Sequence, residues 1–254
     1  MSDMKPNITV NVDVTNPGQF FACCGLLELA DRLWPGAEGW FEDNRFYLGR
    51  IDEQAISVSE LLGEVLSCSV ESLPGPDKKT TPIHLGGRIG IQLNWWLRPN
   101  GTTNLFKIWP ANATSQQMFC KWRDPLKAKM GTLTSNAEGM LTSSARIQGS
   151  YGFDSDLGWD ELSVGFSFNE HTSLRKLPTR PAVELLGAIG LQRFFPMFKE
   201  KEQMVEYATW CVRLSAPVAR IAALGGLPVV SMHRLRTRFV YRGSFKGLDR
   251  ATIM

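Results

Sequence analysis

Apolar and polar residues alternate strictly at the start of the chain. The four apolar side chains of residues 8–15 fall on one face, which is typical of a half-buried strand. Asn16 and Pro17 then predict a helix start, because Asn is a good N-cap and Pro suits the first helical position. The apolar helix pattern ends at Pro35-Gly36, and an aromatic-rich strand follows it. Residues 8–48 therefore predict a β-α-β start.

The middle of the chain follows a less regular pattern. Residues 89–97 and 162–168 alternate as strands, and the almost entirely apolar run 181–198 predicts a buried helix. Residues 131–156 are rich in Gly, Ser, Thr and Asn, so they predict a long loop. We expect that loop to be mobile in the free protein and to order against a partner, with Arg146 as its one cation for a phosphate.

The C-terminal part, residues 207–250, repeats the β-α-β pattern. A strand begins at Tyr207, a short helix is capped by Ser215 and ends at Gly225-Gly226, and a last strand runs from about residue 233 to residue 242. Two such units around a shared sheet predict an α+β fold with a ferredoxin-like or RRM-like core and helical and loop insertions. We expect residues 1–254 to form a single domain.

Composition places the chain among ordinary globular proteins, with 43% apolar and 21% charged residues. No apolar run approaches the ~20 residues that a membrane-spanning helix needs, and no secretion signal is visible. The five cysteines include an adjacent pair, Cys23 and Cys24, which makes a poor disulfide framework. These features predict a protein of the reducing cytoplasm.

The net charge of +3 conceals an uneven distribution along the chain. Residues 1–75 contain four Lys or Arg against twelve Asp or Glu, a net charge of −8. Residues 193–254 contain eleven against four, a net charge of +7. This asymmetry indicates either that the C-terminal part binds a polyanion, or that the two ends neutralise each other in the fold or meet a neighbouring subunit.

The last predicted strand carries the strongest functional signal. Its alternation places four arginines on one face, opposite Leu235, Phe239 and Tyr241. A row of guanidinium groups at steps of ~6.6 Å suits a phosphate backbone. The alternative is a solvated sheet face, or arginines paired with the acidic N-terminal part. The candidate nucleic-acid-binding residues are Arg234, Arg236, Arg238, Arg242, Lys246, Arg250, Arg146 and Trp96.

Trp96 is included because the alternation of residues 89–97 places it on the face opposite Trp95, where its ring could stack on a base. Core packing is the competing interpretation for all the tryptophans in this region. Both interpretations remain open at the level of sequence.

No catalytic constellation is visible in the sequence. The three histidines are far apart and no Cys-x-x-Cys pair exists, which disfavours a zinc site. The glycine-rich segment 86–90 lacks the lysine and hydroxyl of a phosphate loop. The carboxylates of a metal nuclease could only be Asp13, Glu42, Asp154 and Asp156, and nothing in their spacing gathers them. We therefore expect no catalytic residues, metal or cofactor.

Four blocks of sequence resemble one protein family. They are VDVTNPGQFFACCGLLELAD at 12–31, the central motif with GFD at 152–154 and LSVGFSFNE at 162–170, RPAVELL at 180–186 and RGSFK at 242–246. Together they resemble the Csb subunits of type I-U (also called I-G) CRISPR–Cas effector complexes, whose related subunits often use an RRM-like fold.

The resemblance implies a non-catalytic role in antiviral defence, within an RNA-guided surveillance complex. The implied partners are other CRISPR effector subunits, guide RNA, target DNA and a helicase-nuclease that is recruited transiently. We expect the chain to be an obligate member of that complex. A protein-only structural adaptor, or a guide-processing or target-cleaving nuclease, are the alternatives.

Overall fold

In the computed structural model, antiparallel sheets and helices combine into an α+β fold. The structure describes residues 6–50, 55–75, 77–109, 112–147, 151–156, 177–242 and 245–254. Within these ranges no helix is both long and apolar enough to cross a membrane.

The helices are α1 (Pro17–Leu33), α2 (Val58–Ser67), α3 (Ser115–Ser135), α4 (Pro181–Arg193) and α5 (Ala216–Ala223). The strands are β1 (Ile8–Asn11), β2 (Ala37–Glu42), β3 (Arg45–Arg50), β4 (Val70–Ser72), β5 (Ile83–Leu85), β6 (Ile91–Leu93), β7 (Ala145–Ile147), β8 (Leu177–Thr179), β9 (Met197–Lys199), β10 (Met204–Trp210), β11 (Leu214–Ser215), β12 (Ser231–Arg242), β13 (Phe245–Leu248) and β14 (Thr252–Ile253). Two larger sheets have the orders β1-β3-β2-β11 and β13-β12-β10-β9, with β14 on β12. Two smaller sheets are β4-β5-β6 and β7-β8.

The N-terminal β-α-β elements are confirmed, and α1 begins as its cap predicts. The side chain of Asn16 accepts hydrogen bonds from the backbone N–H groups of Gly18 and Gln19. Strand β3 pairs antiparallel with both β1 and β2, so β1 and β2 run parallel with β3 between them. The two strands that flank α1 in sequence are thus separated by one strand in the sheet.

Helix α4 packs directly against α1, with two glycines at the contact. A Cβ atom built on Gly25 would lie 2.0 Å from the carbonyl oxygen of Leu186, and one on Gly190 would lie 2.1 Å from that of Phe21. The backbones therefore touch. The predicted buried helix is confirmed, but it ends at Arg193, and residues 197–199 form the edge strand β9.

The predicted last strand is confirmed as β12, which begins two residues earlier, at Ser231. Its neighbour β10 continues through a short turn into β11, which pairs with β2 of the other large sheet. Trp210, at the end of β10, is fully buried and donates from Nε1 to the carbonyl oxygen of Gly39 at 2.7 Å. Residues 204–215 thus join the two larger sheets.

The prediction of a loop over residues 131–156 is wrong. Residues 131–135 complete α3, Met140–Thr142 form a 3₁₀ turn, and residues 145–147 form β7. The buried side chains of Met140, Leu141, Tyr151 and Phe153 anchor this stretch in the core. These few apolar anchors are spaced too widely among Gly, Ser and Thr to give a period.

Two other strand predictions have different outcomes. Only Ile91–Leu93 of the predicted strand 89–97 forms a strand. The predicted strand 162–168 lies outside the described residues.

Candidate nucleic-acid interface

Arg234, Arg236 and Arg238 project from the open face of β12, and we call these three residues the arginine row. Leu235 and Phe239, between and beyond them, are 0% and 5% exposed and lie in the core. The arginine side chains instead reach solvent, with 41% exposure for Arg236 and 71% for Arg238. The alternation that the sequence predicts for this part of the strand is confirmed.

The two outer arginines of the row have little internal competition. Arg234 is exposed, and no ion pair involves it in the part of the chain that the structure describes. Its guanidinium lies against Gly225 at the end of α5, where a Cβ atom would come within 2.8 Å of Nη2. Nε of Arg238 lies 3.8 Å from Oδ2 of Asp249, and both groups are well exposed, so this pair contributes little.

The central arginine is held by a carboxylate of the neighbouring strand. Oε1 of Glu206, directly opposite on β10, accepts from Nε of Arg236 at 2.8 Å and from Nη2 at 2.6 Å. Nζ of Lys199, on β9, donates to the same oxygen at 2.8 Å. The hydrogen bond from Lys199, followed by those from Arg236, lowers the pKa of Glu206 despite partial burial. Sequence reasoning missed Lys199 because it falls at the end of the predicted helix 181–198.

Lys246 was predicted to extend the row, and the structure turns it inward instead. Its Nζ donates to the carbonyl oxygen of Leu105 at 2.5 Å and lies 4.5 Å from the centre of the Phe239 ring. Burial lowers the pKa of Lys246 to about 8. An ammonium group held in this way is poorly placed to follow a phosphate backbone.

The lowered pKa of Lys246 gives a pH-dependent stability. The folded chain releases this proton near pH 8, whereas an unperturbed lysine holds it to about 10.5. Between these values the unfolded chain binds more protons, so the free energy of unfolding rises with pH. We expect Lys246→Met to be more stable than the parent at neutral pH by roughly 1 kcal/mol, after allowance for solvent screening and the ring contact. The advantage should vanish above pH ~10.5.

Urea denaturation across this pH range measures that difference. The matched control is Lys201→Met, because Lys201 is fully exposed in the β9–β10 turn. A Lys246→Met gain that does not depend on pH would mean that packing, and not the charge, is responsible.

Arg250, another candidate from the sequence, is engaged by two carboxylates. Its Nη2 lies 2.9 Å from Oδ2 of Asp13 and 3.0 Å from Oδ1 of Asp156. A second C-terminal base, Arg193, pairs with the buried N-terminal carboxylate of Glu28. The opposite charges of the two ends of the chain therefore neutralise each other in part within the fold.

The fold also gathers three of the carboxylates that the sequence could not connect. Asp154 is 1% exposed, and its Oδ1 accepts from Nδ2 of Asn16 at 2.7 Å. Arg250 bridges Asp13 to Asp156, and Arg180 contacts both Asp154 and Asp156. Burial raises the pKa of Asp154 in spite of Arg180.

Guanidinium groups thus occupy the space between these carboxylates. Across the described ranges, no group of three or more His, Cys, Asp or Glu could hold a metal ion. The arrangement is an ion-pair network that ties the start of α1 to the start of α4 and to the C-terminal end of the chain.

The prediction that Trp96 stacks on bases is wrong. Its side chain is 1% exposed, and its Nε1 donates to the carbonyl oxygen of Thr80 at 2.7 Å. The alternation fails because β6 ends at Leu93, so both Trp95 and Trp96 turn into the core. Tyr241 is the ring that the strand leaves open to solvent, at 56% exposure, although its register predicted core packing.

The remaining two candidates can be placed only by their backbones. Arg242 is the last residue of β12 and lies opposite Phe245 of β13. Arg146 lies in β7, opposite Pro178 of β8, in a different sheet from the arginine row. The side chains of Arg242 and Arg146 are outside the described part of the structure.

The geometry therefore reduces the candidate interface to the arginine row, with Lys199 as an addition from β9 and Tyr241 at the far end of β12. Comparison of the chain with protein-family models, with curated proteins and with solved structures finds no match.

Proposed function

We propose that this chain is a non-catalytic, nucleic-acid-binding subunit of a CRISPR RNA-guided antiviral surveillance complex in the cytoplasm. One observation carries the nucleic-acid part: the arginine row is a line of cations on an open sheet face, and its two outer members have no strong internal partner. The resemblance to Csb subunits supports the complex itself, with other effector subunits, guide RNA and target DNA as partners.

The surroundings of the arginine row favour a polyanion. Residues 207–248 contain six arginines and one lysine, and no aspartate or glutamate. Alternate residues of a strand are ~6.6 Å apart, close to the ~6.8 Å that two nucleotides of one strand span along a duplex axis. Contacts to phosphates carry affinity but little sequence information. A subunit that must accept any guide sequence needs this kind of contact.

The arrangement of the N-terminal elements supports the ferredoxin-like or RRM-like core that the sequence predicts. Strand β3 between the parallel strands β1 and β2 is the split β-α-β arrangement of that fold class. We include this core in the proposal because related nucleic-acid-binding subunits often use it.

Replacing all three members of the arginine row with alanine should weaken binding of single-stranded RNA by about 30- to 100-fold at low salt. Each cation that neutralises a phosphate of a single strand adds ~0.7 to the slope of log K against log salt, so the slope should fall by about 2. Fluorescence anisotropy at several salt concentrations measures both quantities. The matched control replaces three exposed cations elsewhere: Arg45, Lys78 and Lys127.

Unchanged salt dependence in a triple variant that folds would show that the arginine row is not the interface. A protein-only adaptor would then be the leading function. Exposed apolar side chains on α5 and at the start of β12 favour that second candidate, since such patches usually mark protein contacts. They are Val218 (40% exposed), Ile221 (49%), Val229 (96%) and Met232 (40%).

A further inference from the structure

Two cations from different strands converge on one carboxylate at the centre of the arginine row. Arg236 on β12 and Lys199 on β9 both donate to Oε1 of Glu206, which lies between them on β10. Like charges on neighbouring strands repel each other unless an anion lies between them. The position between Arg236 and Lys199 is therefore an anion position, and a side chain of the protein fills it.

The exposure of these groups shows which side of the position is open. The Glu206 side chain is 11% exposed, whereas those of Arg236 and Lys199 are 41% and 37% exposed. The carboxylate lies beneath, and the cations reach past it to solvent. Nη1 of Arg236 has no acceptor among the described residues, so it remains available to a ligand on the open side.

We propose that Arg236 and Lys199 form a phosphodiester-binding subsite, and that Glu206 is its internal counter-ion, with which an incoming phosphate competes. This inference rests on the proposed function, because it concerns the same interface. It adds Lys199 to that interface and assigns an opposing role to Glu206. The arginine row then has two outer positions that bind freely and a central one whose affinity Glu206 limits.

The competition follows from the chemistry of the groups. A carboxylate and a phosphodiester are both oxyanions that accept charge-assisted hydrogen bonds from guanidinium and ammonium groups. Glu206 takes two donors of Arg236 and one of Lys199, and its own charge repels a phosphate. A nucleic acid must therefore engage the outer arginines as well to bind firmly. Such an opposing charge suppresses binding of ligands with a single phosphate.

Glu206→Gln tests the proposal, because glutamine keeps the shape and an acceptor oxygen but removes the charge. We expect its affinity for an oligo(dT) of about 20 nucleotides to rise by about five- to tenfold at ~50 mM salt. The salt slope should become steeper by about 0.7, since one more phosphate is neutralised. Glu202→Gln is the matched control: Glu202 is an exposed acid of the nearby β9–β10 turn without an ion pair in the described structure. It should gain less than about twofold.

A double-mutant cycle shows whether Glu206 acts through Arg236. In an Arg236→Ala background, the gain from Glu206→Gln should fall below about threefold, because only Lys199 remains to be released. Lys199→Ala provides an independent arm that does not depend on the folding of the Glu206 variant. It should weaken binding and reduce the salt slope by about 0.7, whereas Lys201→Ala, in the exposed turn, should change the slope less.

The outcomes separate this inference from the function on which it rests. Weaker binding by Glu206→Gln would make Glu206 a positioning residue and overturn the competition. Unchanged binding by both Glu206→Gln and Lys199→Ala, together with a loss in the triple arginine variant, would reject the subsite and keep the interface. Equal binding by the parent and the triple variant would reject the interface itself.

Discussion

Alanine in place of Gly190 is expected to lower the free energy of unfolding by about 3 kcal/mol or more. The new Cβ atom would lie 2.1 Å from the carbonyl oxygen of Phe21 and 2.6 Å from the backbone nitrogen of Gly25. Neither is the flexible end of a side chain that could move aside. The two helices must separate, and the contacts along their whole interface are weakened together. Thermal or urea denaturation of the purified variant measures the loss.

Gly131→Ala is the control for this prediction, because Gly131 is also a helical glycine. It is exposed in α3, and a Cβ atom there would meet nothing within 4 Å. Alanine at an open helical position should raise stability by about 0.5–1 kcal/mol, since glycine loses more backbone entropy on folding. If Gly190→Ala were as well tolerated as Gly131→Ala, the close approach of α1 and α4 would be wrong.

Removing the carboxylate of Glu28 is expected to cost about 2–3 kcal/mol. Glu28 is 1% exposed on α1, and it accepts from Nε of Arg32 at 2.7 Å and from Arg193 of α4. Glu28→Ala leaves both guanidinium groups, which are 29% and 24% exposed, without this partner. Their partial exposure keeps the expected cost below that of a fully buried pair.

An exposed ion pair provides the comparison for Glu28. Glu60 pairs with Arg88 at 2.6 Å, and their side chains are 43% and 51% exposed. Glu60→Ala should change the free energy of unfolding by less than about 1 kcal/mol, because water screens the charges. Equal effects of the two variants in urea denaturation would mean that Glu28 is not a structural centre.

The sequence was sufficient to predict features that depend on local periodicity or capping. The cap at Asn16, the buried helix α4 and the alternation along β12 all follow from residues within one element. These predictions hold because the period of an element shows directly which side chains face the core.

Features that depend on contacts distant in sequence could not be predicted in this way. Trp96 is buried because β6 ends early and the chain turns, which alternation alone does not show. Lys199 and Glu206 meet only after β9 has paired with β10. The inward turn of Lys246 depends on Leu105, which is 141 residues away.

The candidate interface was therefore predicted in its location but not in its composition. β12 and the arginine row were identified from the sequence, whereas the groups that neutralise or supplement the row belong to other strands. A charged residue shows its type in a sequence, but its partners are determined by the tertiary fold.

The contact between α1 and α4 has a consequence for how the protein is made. Glu28 and Arg193, which lie on these two helices, are 165 residues apart in the chain. A ribosome adds ~5–20 residues per second, so α1 waits on the order of ten seconds for the helix that covers its glycine face. During that interval the first helix exposes apolar surface that is buried in the finished fold. Conditions that slow synthesis therefore prolong the period in which the nascent chain can aggregate.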